Sequence, residues 1–175
     1  MRLMKGFFFV ATGFFILITC ISLLIPSRVM TAKTVVIHAP PQKILAAITN
    51  LQAWKQWHPV FKINTSSVLI SNPSNAVNAM AEWSSSNKKN NITITQVFPQ
   101  GIKFLLNRPG ENAVENTLTS VPLPEAGTYQ VEWKALTKLK WYPWEKFAGI
   151  FVGEITGPGY DAALAALKNY IEQPQ

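Results

Sequence analysis

The feature that most constrains this chain is an apolar run from Phe7 to Ile25 that contains no charged side chain. A helix over this run would be about 28 Å long at ~1.5 Å per residue, close to the ~30 Å hydrocarbon core of a bilayer. Lys5 lies just before the run, and Pro26 follows it. We therefore predict a single-pass membrane anchor at residues 1–26, with membrane contact through residues 7–25.

Other interpretations of this run are less favoured. A cleaved signal peptide needs a shorter apolar core and an A-x-A-like cleavage site, and no such site is found in the sequence. A lipoprotein would use Cys20, but Thr19 occupies the position where Gly, Ala or Ser is expected. A buried core helix usually carries a polar stripe, which this run lacks.

The orientation of the anchor depends on the flanking positive charges. Arg2 and Lys5 precede the run, and Arg28 and Lys33 follow it almost as closely. The positive-inside rule therefore gives no clear answer. The short segment before the run favours a cytoplasmic N-terminus, which predicts that the domain after the anchor lies outside the cytoplasm.

Composition excludes several function classes. The single cysteine cannot form an internal disulfide or a Cys-based zinc site, and two histidines are too few for a zinc site made mainly of His. The formal net charge is +7, but the basic residues are scattered, whereas a nucleic-acid-binding protein usually concentrates them on one face. We expect no metal, no cofactor and no nucleic-acid partner.

After the anchor the pattern is strand, helix, several strands, helix. Residues 33–38 are β-branched and predict a strand, which Pro41 and apolar residues at helical spacing follow as a helix start. Trp54 and Trp57 are predicted to follow in a second short helix or turn. The later strand-like runs are separated by turn residues, which predicts a continuous antiparallel sheet: 76–84, 91–98, 101–107, 113–121 and 128–136.

Alternation in the last three strands predicts one apolar and one solvated face of this sheet. The C-terminal segment fits as the cover of the apolar face, because it carries an apolar stripe at helical spacing and Gly157 precedes it. The fold class is therefore predicted as α+β, with a bent antiparallel sheet wrapped around a long C-terminal helix and one transmembrane helix in front. Such a geometry commonly leaves an apolar cavity between helix and sheet.

Three segments then carry a family resemblance. Val35–Phe61 has a strand, a proline-containing helix start and a W-x-x-W motif, Met80–Ser86 contains M-x-W, and Gly157–Glu172 reads GPGYDAALAALKNYIE. This pattern resembles the START-like helix-grip (SRPBCC) superfamily, in its polyketide cyclase/dehydrase and lipid-transport branch, over most of residues 33–172. The resemblance implies a cavity for a hydrophobic ligand. It divides the chain into an anchor at 1–26, a short spacer at 27–32 and a START-like domain at 33–175.

Candidate site residues follow from the predicted faces. The residues expected to line the cavity are Trp83, Phe104, Asn116, Leu118, Tyr129, Trp133, Tyr160 and Leu164. The residues expected at the cavity mouth or in contact with the membrane are Trp54, Trp57, His58, Trp141, Tyr142 and Trp144. Alternation turns the polar side chain of Asn116 towards the apolar face, where the backbone, water or a ligand polar group could be its partner. Aromatic rings interleaved with lysines, as in residues 138–146, suit a membrane–water interface.

No catalytic residue is predicted. His58 would need an acid within reach to act as a general base, and the first acid after it is Glu82. The predicted function is a membrane-anchored binding domain for a hydrophobic small molecule, either a lipid or a polyketide- or isoprenoid-like compound. Two alternatives stay open: a cyclase- or dehydratase-like enzyme, and an envelope interaction module with a collapsed cavity.

Overall fold

A computed structural model describes residues 2–63, 67–85 and 88–173. The elements, in chain order, are α1 (Arg2–Leu24), β1 (Arg28–His38), α2 (Pro41–Thr49), α3 (Leu51–Trp57), α4 (Pro59–Ile63), β2 (Leu69–Ile70), β3 (Met80–Ser85), β4 (Lys88–Phe98), β5 (Gly101–Asn107), β6 (Val114–Pro122), β7 (Thr128–Lys138), α5 (Pro143–Ile150) and α6 (Val152–Glu172). The predicted motif end Ser86 and domain end 174–175 lie outside the described residues.

The strands form one antiparallel sheet of seven in the order β1-β7-β6-β5-β4-β3-β2. From β2 to β7, the strands that pair in the sheet are also consecutive in the chain, as expected for an antiparallel sheet built from successive hairpins. β1 is an edge strand that pairs with β7, from Arg28 opposite Lys138 to His38 opposite Thr128. This long pairing brings the start of the domain beside its last strand, and α6 packs across β1. The predicted α+β helix-grip architecture is confirmed.

Helix α1 contains the predicted apolar run. Its segment Met4–Leu24 is long and apolar enough to cross a membrane, a test that signal sequences also pass, and almost none of it is buried against the rest of the described chain. Phe7, Phe8 and Phe9 are each more than two-thirds exposed. A helix that is apolar all round and uncovered by protein needs another apolar environment.

Several predicted element boundaries differ from those of the structure. β1 begins at Arg28, so residues 28–32, predicted as a spacer, form the first part of a strand paired with β7.

The C-terminal helix begins at Val152 rather than Gly157, and Pro158 lies inside it. A Cβ at position 157 would lie 3.1 Å from Cε of Lys33, so this glycine marks close packing between α6 and β1. β3 starts at Met80, later than predicted, because Asn78 adopts a left-handed φ of 68°.

The core lies between the concave face of the sheet, helices α2 to α4, and α6. The predicted alternation is observed: Phe104, Leu118 and Trp133 are buried, whereas Lys134 is exposed. Trp54 and Trp57 lie fully inside, and each indole N–H donates to a backbone carbonyl of α2, at 3.1 Å in both cases. Both large rings are thus buried without an unpaired donor.

Candidate functional site

A cavity of about 320 Å³ lies between α6 and the concave face of the sheet. Most of its wall is apolar, and the polar groups are few: His58, Arg108, Thr156 and Tyr160. Its volume is at the lower end of the ~300–1,000 Å³ found for ligand pockets. We call it the apolar cavity; its lining is His58, Val60, Trp83, Ile92, Phe104, Leu106, Arg108, Trp133, Ile155, Thr156, Gly159, Tyr160 and Ala163.

A second chamber of about 300 Å³ adjoins the apolar cavity on the side of α5. Leu106, Arg108, Thr156 and Tyr160 line both spaces, so they form the boundary between them. The second chamber has a more polar wall, which includes Glu145, itself hydrogen-bonded to Asn112, and Lys140. We call it the polar chamber. The two spaces together offer an apolar end and a polar end.

His58 occupies an aromatic enclosure in the wall of the apolar cavity. Its ring is stacked on Trp54, with centroids 5.3 Å apart and planes 7° apart, and it also contacts Phe61 and Trp133. Burial, and secondarily the charge of Arg108, lower the pKa of His58 from 6.5 to about 4. The imidazole is therefore neutral near pH 7. Its Nδ1 is buried, and the described residues give this atom no hydrogen-bond partner.

Tyr160 and Arg108 provide hydrogen-bond donors at the boundary between the two spaces. The Tyr160 ring packs on Trp133 with centroids 5.2 Å apart. Burial raises the pKa of Tyr160, against an opposing effect of the Arg108 charge, so its hydroxyl keeps its proton at neutral pH. Arg108 lies just beyond the end of β5, and its guanidinium is 3.4 Å from Glu111 in an ion pair in which both side chains are about half exposed.

Four of the eight residues predicted to line the cavity do so: Trp83, Phe104, Trp133 and Tyr160. Leu118 and Leu164 lie instead in the solid core, Tyr129 packs against that core, and Asn116 is buried beside it. The Asn116 carboxamide accepts a hydrogen bond from the Trp133 indole at 2.9 Å and donates one to the backbone carbonyl of Val114 at 2.9 Å. Its role in the structure is therefore to orient Trp133.

The residues predicted at the mouth separate into three groups. Trp54 and Trp57 are buried in the core. His58 lines the apolar cavity. Trp141 and Trp144 are 70% and 65% exposed, and Tyr142 stacks on Trp144 with centroids 4.5 Å apart. Sequence reasoning missed Arg108, although a single cation at the end of an apolar strand was a usable signal.

Large apolar side chains are exposed along α5 and the first turn of α6. Trp144, Ile150, Phe151 and Ile155 are each more than half exposed. We call these four residues, with Trp141, the exposed aromatic surface. Ile155 belongs to this surface and also lines the apolar cavity, so the cavity wall and the surface meet there.

The end of α1 is fixed to the same region. Lys146 of α5 is buried, and its ammonium donates to the carbonyl of Ile25 at 2.8 Å and to the hydroxyl of Ser27 at 2.5 Å. The amide of Leu139 donates to the carbonyl of Ser27 at 2.8 Å. These bonds hold the turn between α1 and β1 against α5.

Solved structures share this fold at low sequence identity. A protein from Nitrosospira multiformis matches with a TM-score of 0.62 and 16% identity over 83% of this chain and 97% of its own. A START superfamily protein from Mycobacterium smegmatis matches with a TM-score of 0.59 and 18% identity over 82% and 97%. DynU16, a protein of the dynemicin biosynthetic locus, matches with a TM-score of 0.59 and 15% identity over 82% of this chain and 47% of its own.

No curated protein matches the chain significantly. The model of one family matches residues 28–172, which begin at the first residue of β1 and end at the last residue of α6. The matched stretch therefore contains the complete sheet and both walls of the apolar cavity. This chain belongs to the polyketide cyclase/dehydrase and lipid transport family.

Proposed function

We propose that this protein binds a hydrophobic small molecule, a lipid or a polyketide- or isoprenoid-like compound, in the apolar cavity between α6 and the sheet, and that α1 anchors it in a membrane. The observation that carries the proposal is the open, aromatic-lined volume of about 320 Å³ inside a domain of this family. Burial of apolar ligand surface there contributes about 25 cal/mol per Å² before the costs of binding.

The open volume argues against a module whose cavity has collapsed. Trp83, Trp133 and Phe104 have side chains large enough to fill such a volume, but they form its wall instead. Their rings pack on other aromatic rings, Phe104 on Trp133 and Trp83 on Phe61, which holds them away from the centre. A rigid aromatic wall gives a ligand a preformed surface at low entropic cost.

Membrane attachment and ligand entry are part of the same proposal. The bonds from Lys146 and Leu139 keep the end of α1 beside α5, so the exposed aromatic surface lies next to the end of the anchor. Tryptophan side chains favour the membrane–water interface. A ligand could pass from the bilayer to the cavity past Ile155, which belongs to both. We also propose that the domain lies outside the cytoplasm, which protease protection of sealed vesicles tests.

Gly159 offers a direct test, because it lines the apolar cavity and a Cβ added there would meet no atom within 4 Å. Gly159→Phe would add a ring at the exposed edge of the cavity without a backbone clash. Gly159→Ala is the matched control, since it also replaces a glycine inside the helix but adds little volume. Both variants should unfold no more easily than the natural chain.

The experiment measures small molecules retained by the full chain after purification and transfer into nanodiscs of one defined synthetic lipid. Organic extracts are compared by mass spectrometry. We expect one compound in excess over the nanodisc background with the natural chain and with Gly159→Ala. With Gly159→Phe this compound should be lost. Equal retention by all three proteins, or no compound above the nanodisc background in any, would overturn the proposal.

A further inference from the structure

Arg108 is the one permanently charged side chain among the described residues that line the apolar cavity. It comes directly after β5, whose residues Phe104 and Leu106 line the same space. It also lines the polar chamber, so its guanidinium lies at the boundary between an apolar and a polar volume. A cation in this position is suited to a ligand that is apolar at one end and charged at the other.

The neighbouring polar groups are compatible with an anion at this boundary. Tyr160 lines both spaces and keeps its hydroxyl proton, so it is available as a donor. His58 is neutral near pH 7 and adds no competing charge. The Thr156 hydroxyl already donates to the carbonyl of Val152 at 2.8 Å, so its donor is occupied.

The ion pair between Arg108 and Glu111 is weak enough for a ligand anion to replace Glu111. Glu111 lies three residues further on, 3.4 Å away, and both side chains are about half exposed to solvent. Exposed pairs of this kind contribute little to stability because water screens them. A carboxylate or phosphate held partly out of water can form a bidentate, charge-assisted pair with the guanidinium.

We propose that the ligand is a single-chain acidic amphiphile whose carboxylate or phosphate binds Arg108, with its tail in the apolar cavity. This inference rests on the proposed function and narrows its ligand class. Glu111 competes with the ligand anion for the same guanidinium. Removal of Glu111 should therefore strengthen binding, whereas removal of Arg108 should weaken it.

The test uses the full chain in nanodiscs and three photoactivatable probes with the same ten-carbon tail: an acid, a phosphate monoester and an alcohol. The readout is the half-saturating concentration for labelling of peptides that contain Trp83, Trp133 or Tyr160. For Arg108→Gln we expect a roughly ten- to a hundredfold weaker response to the acid, the phosphate or both. The alcohol should be unaffected, and Glu111→Gln should strengthen acid or phosphate labelling only.

Lys103→Gln is the matched control, because Lys103 is an exposed cation on β5, beside Phe104, and lines neither the apolar cavity nor the polar chamber. It should leave all three probes unchanged. The acid and phosphate arms separate a free fatty-acid-like ligand from a phospholipid-like one. Equal weakening of the alcohol by Arg108→Gln would overturn the inference while leaving the proposed function intact. Absence of cavity labelling by every probe in the natural chain would overturn both.

Discussion

Acidification should destabilise the folded domain through His58. The unfolded chain binds a proton at His58 near pH 6.5, whereas burial holds the folded-state pKa at about 4. Below pH 6.5 the unfolded state therefore binds more protons than the folded state, and the free energy of unfolding falls until the pH reaches about 4. The full difference corresponds to about 3 kcal/mol, of which roughly 2–3 kcal/mol should be lost by pH 4.5.

The measurement is chemical unfolding of the full chain in nanodiscs at several values between pH 7 and 4.5, followed by tryptophan fluorescence. Glu115 and Glu172, whose pKa values are lowered by hydrogen bonds from Lys138 and from the His38 backbone, add an acid dependence of their own. His58→Phe keeps a ring in the aromatic enclosure and retains those carboxylates. The difference between the two pH profiles therefore isolates His58.

The natural chain should lose about 2–3 kcal/mol more than His58→Phe over this range. Parallel profiles would refute the argument that the imidazole is buried and neutral. Since the chain has two histidines, ¹³C-labelled imidazoles give a second test, with assignment by His38→Gln. A resonance of His58 that titrates near 6.5 in the folded protein would contradict the account in the same way.

Three further predictions concern single contacts. Asn116→Leu should lower the free energy of unfolding by about 1–3 kcal/mol, because it leaves the buried Trp133 indole without an acceptor; a change below the error of the unfolding measurement would contradict this. Lys146→Met should speed amide hydrogen exchange at Ser27, because it removes two bonds that hold the end of α1; unchanged exchange would show that the junction does not need them. A spin label at Trp144, in a Cys20→Ser background, should be more accessible to oxygen in the bilayer than to an aqueous nickel complex. The same label at Gly127 should show the reverse, and equal values at both positions would exclude membrane contact by the exposed aromatic surface.

Much of the architecture could be predicted because it follows from the local spacing of apolar residues in the sequence. Alternation assigned Phe104, Leu118 and Trp133 to the buried face, and the apolar stripe assigned Ala163 and Leu164 to the face of the C-terminal helix that covers it. These assignments need only the two-residue period of a strand and the helical period of α6. The fold class followed from their order.

The errors occurred where tertiary contacts override local signals. Gly157 and Pro158 resemble a helix start, but Gly157 packs closely on Lys33 and the helix continues through both residues. The spacer prediction failed because pairing with β7 extends β1 back to Arg28. No pattern within either segment reveals its partner across the sheet.

The candidate site was harder to predict than the fold. A residue that faces the core and one that lines a cavity share the same alternation, so Leu118 and Trp133 could not be distinguished. Trp54 and Trp57 were expected at the mouth, whereas hydrogen bonds to α2 hold them inside. Arg108 was missed because it lies just after β5, where strand alternation no longer predicts which way a side chain faces.

The central claim is that a small molecule occupies the apolar cavity. The most direct measurement replaces Tyr160, whose ring lines that cavity, with the photoreactive p-benzoyl-phenylalanine and irradiates intact cells that make the full chain. We expect a small-molecule adduct at position 160. The same group placed at position 127, on the exposed β6–β7 turn, should give none. A protein adduct at position 160, or no adduct there, would contradict it.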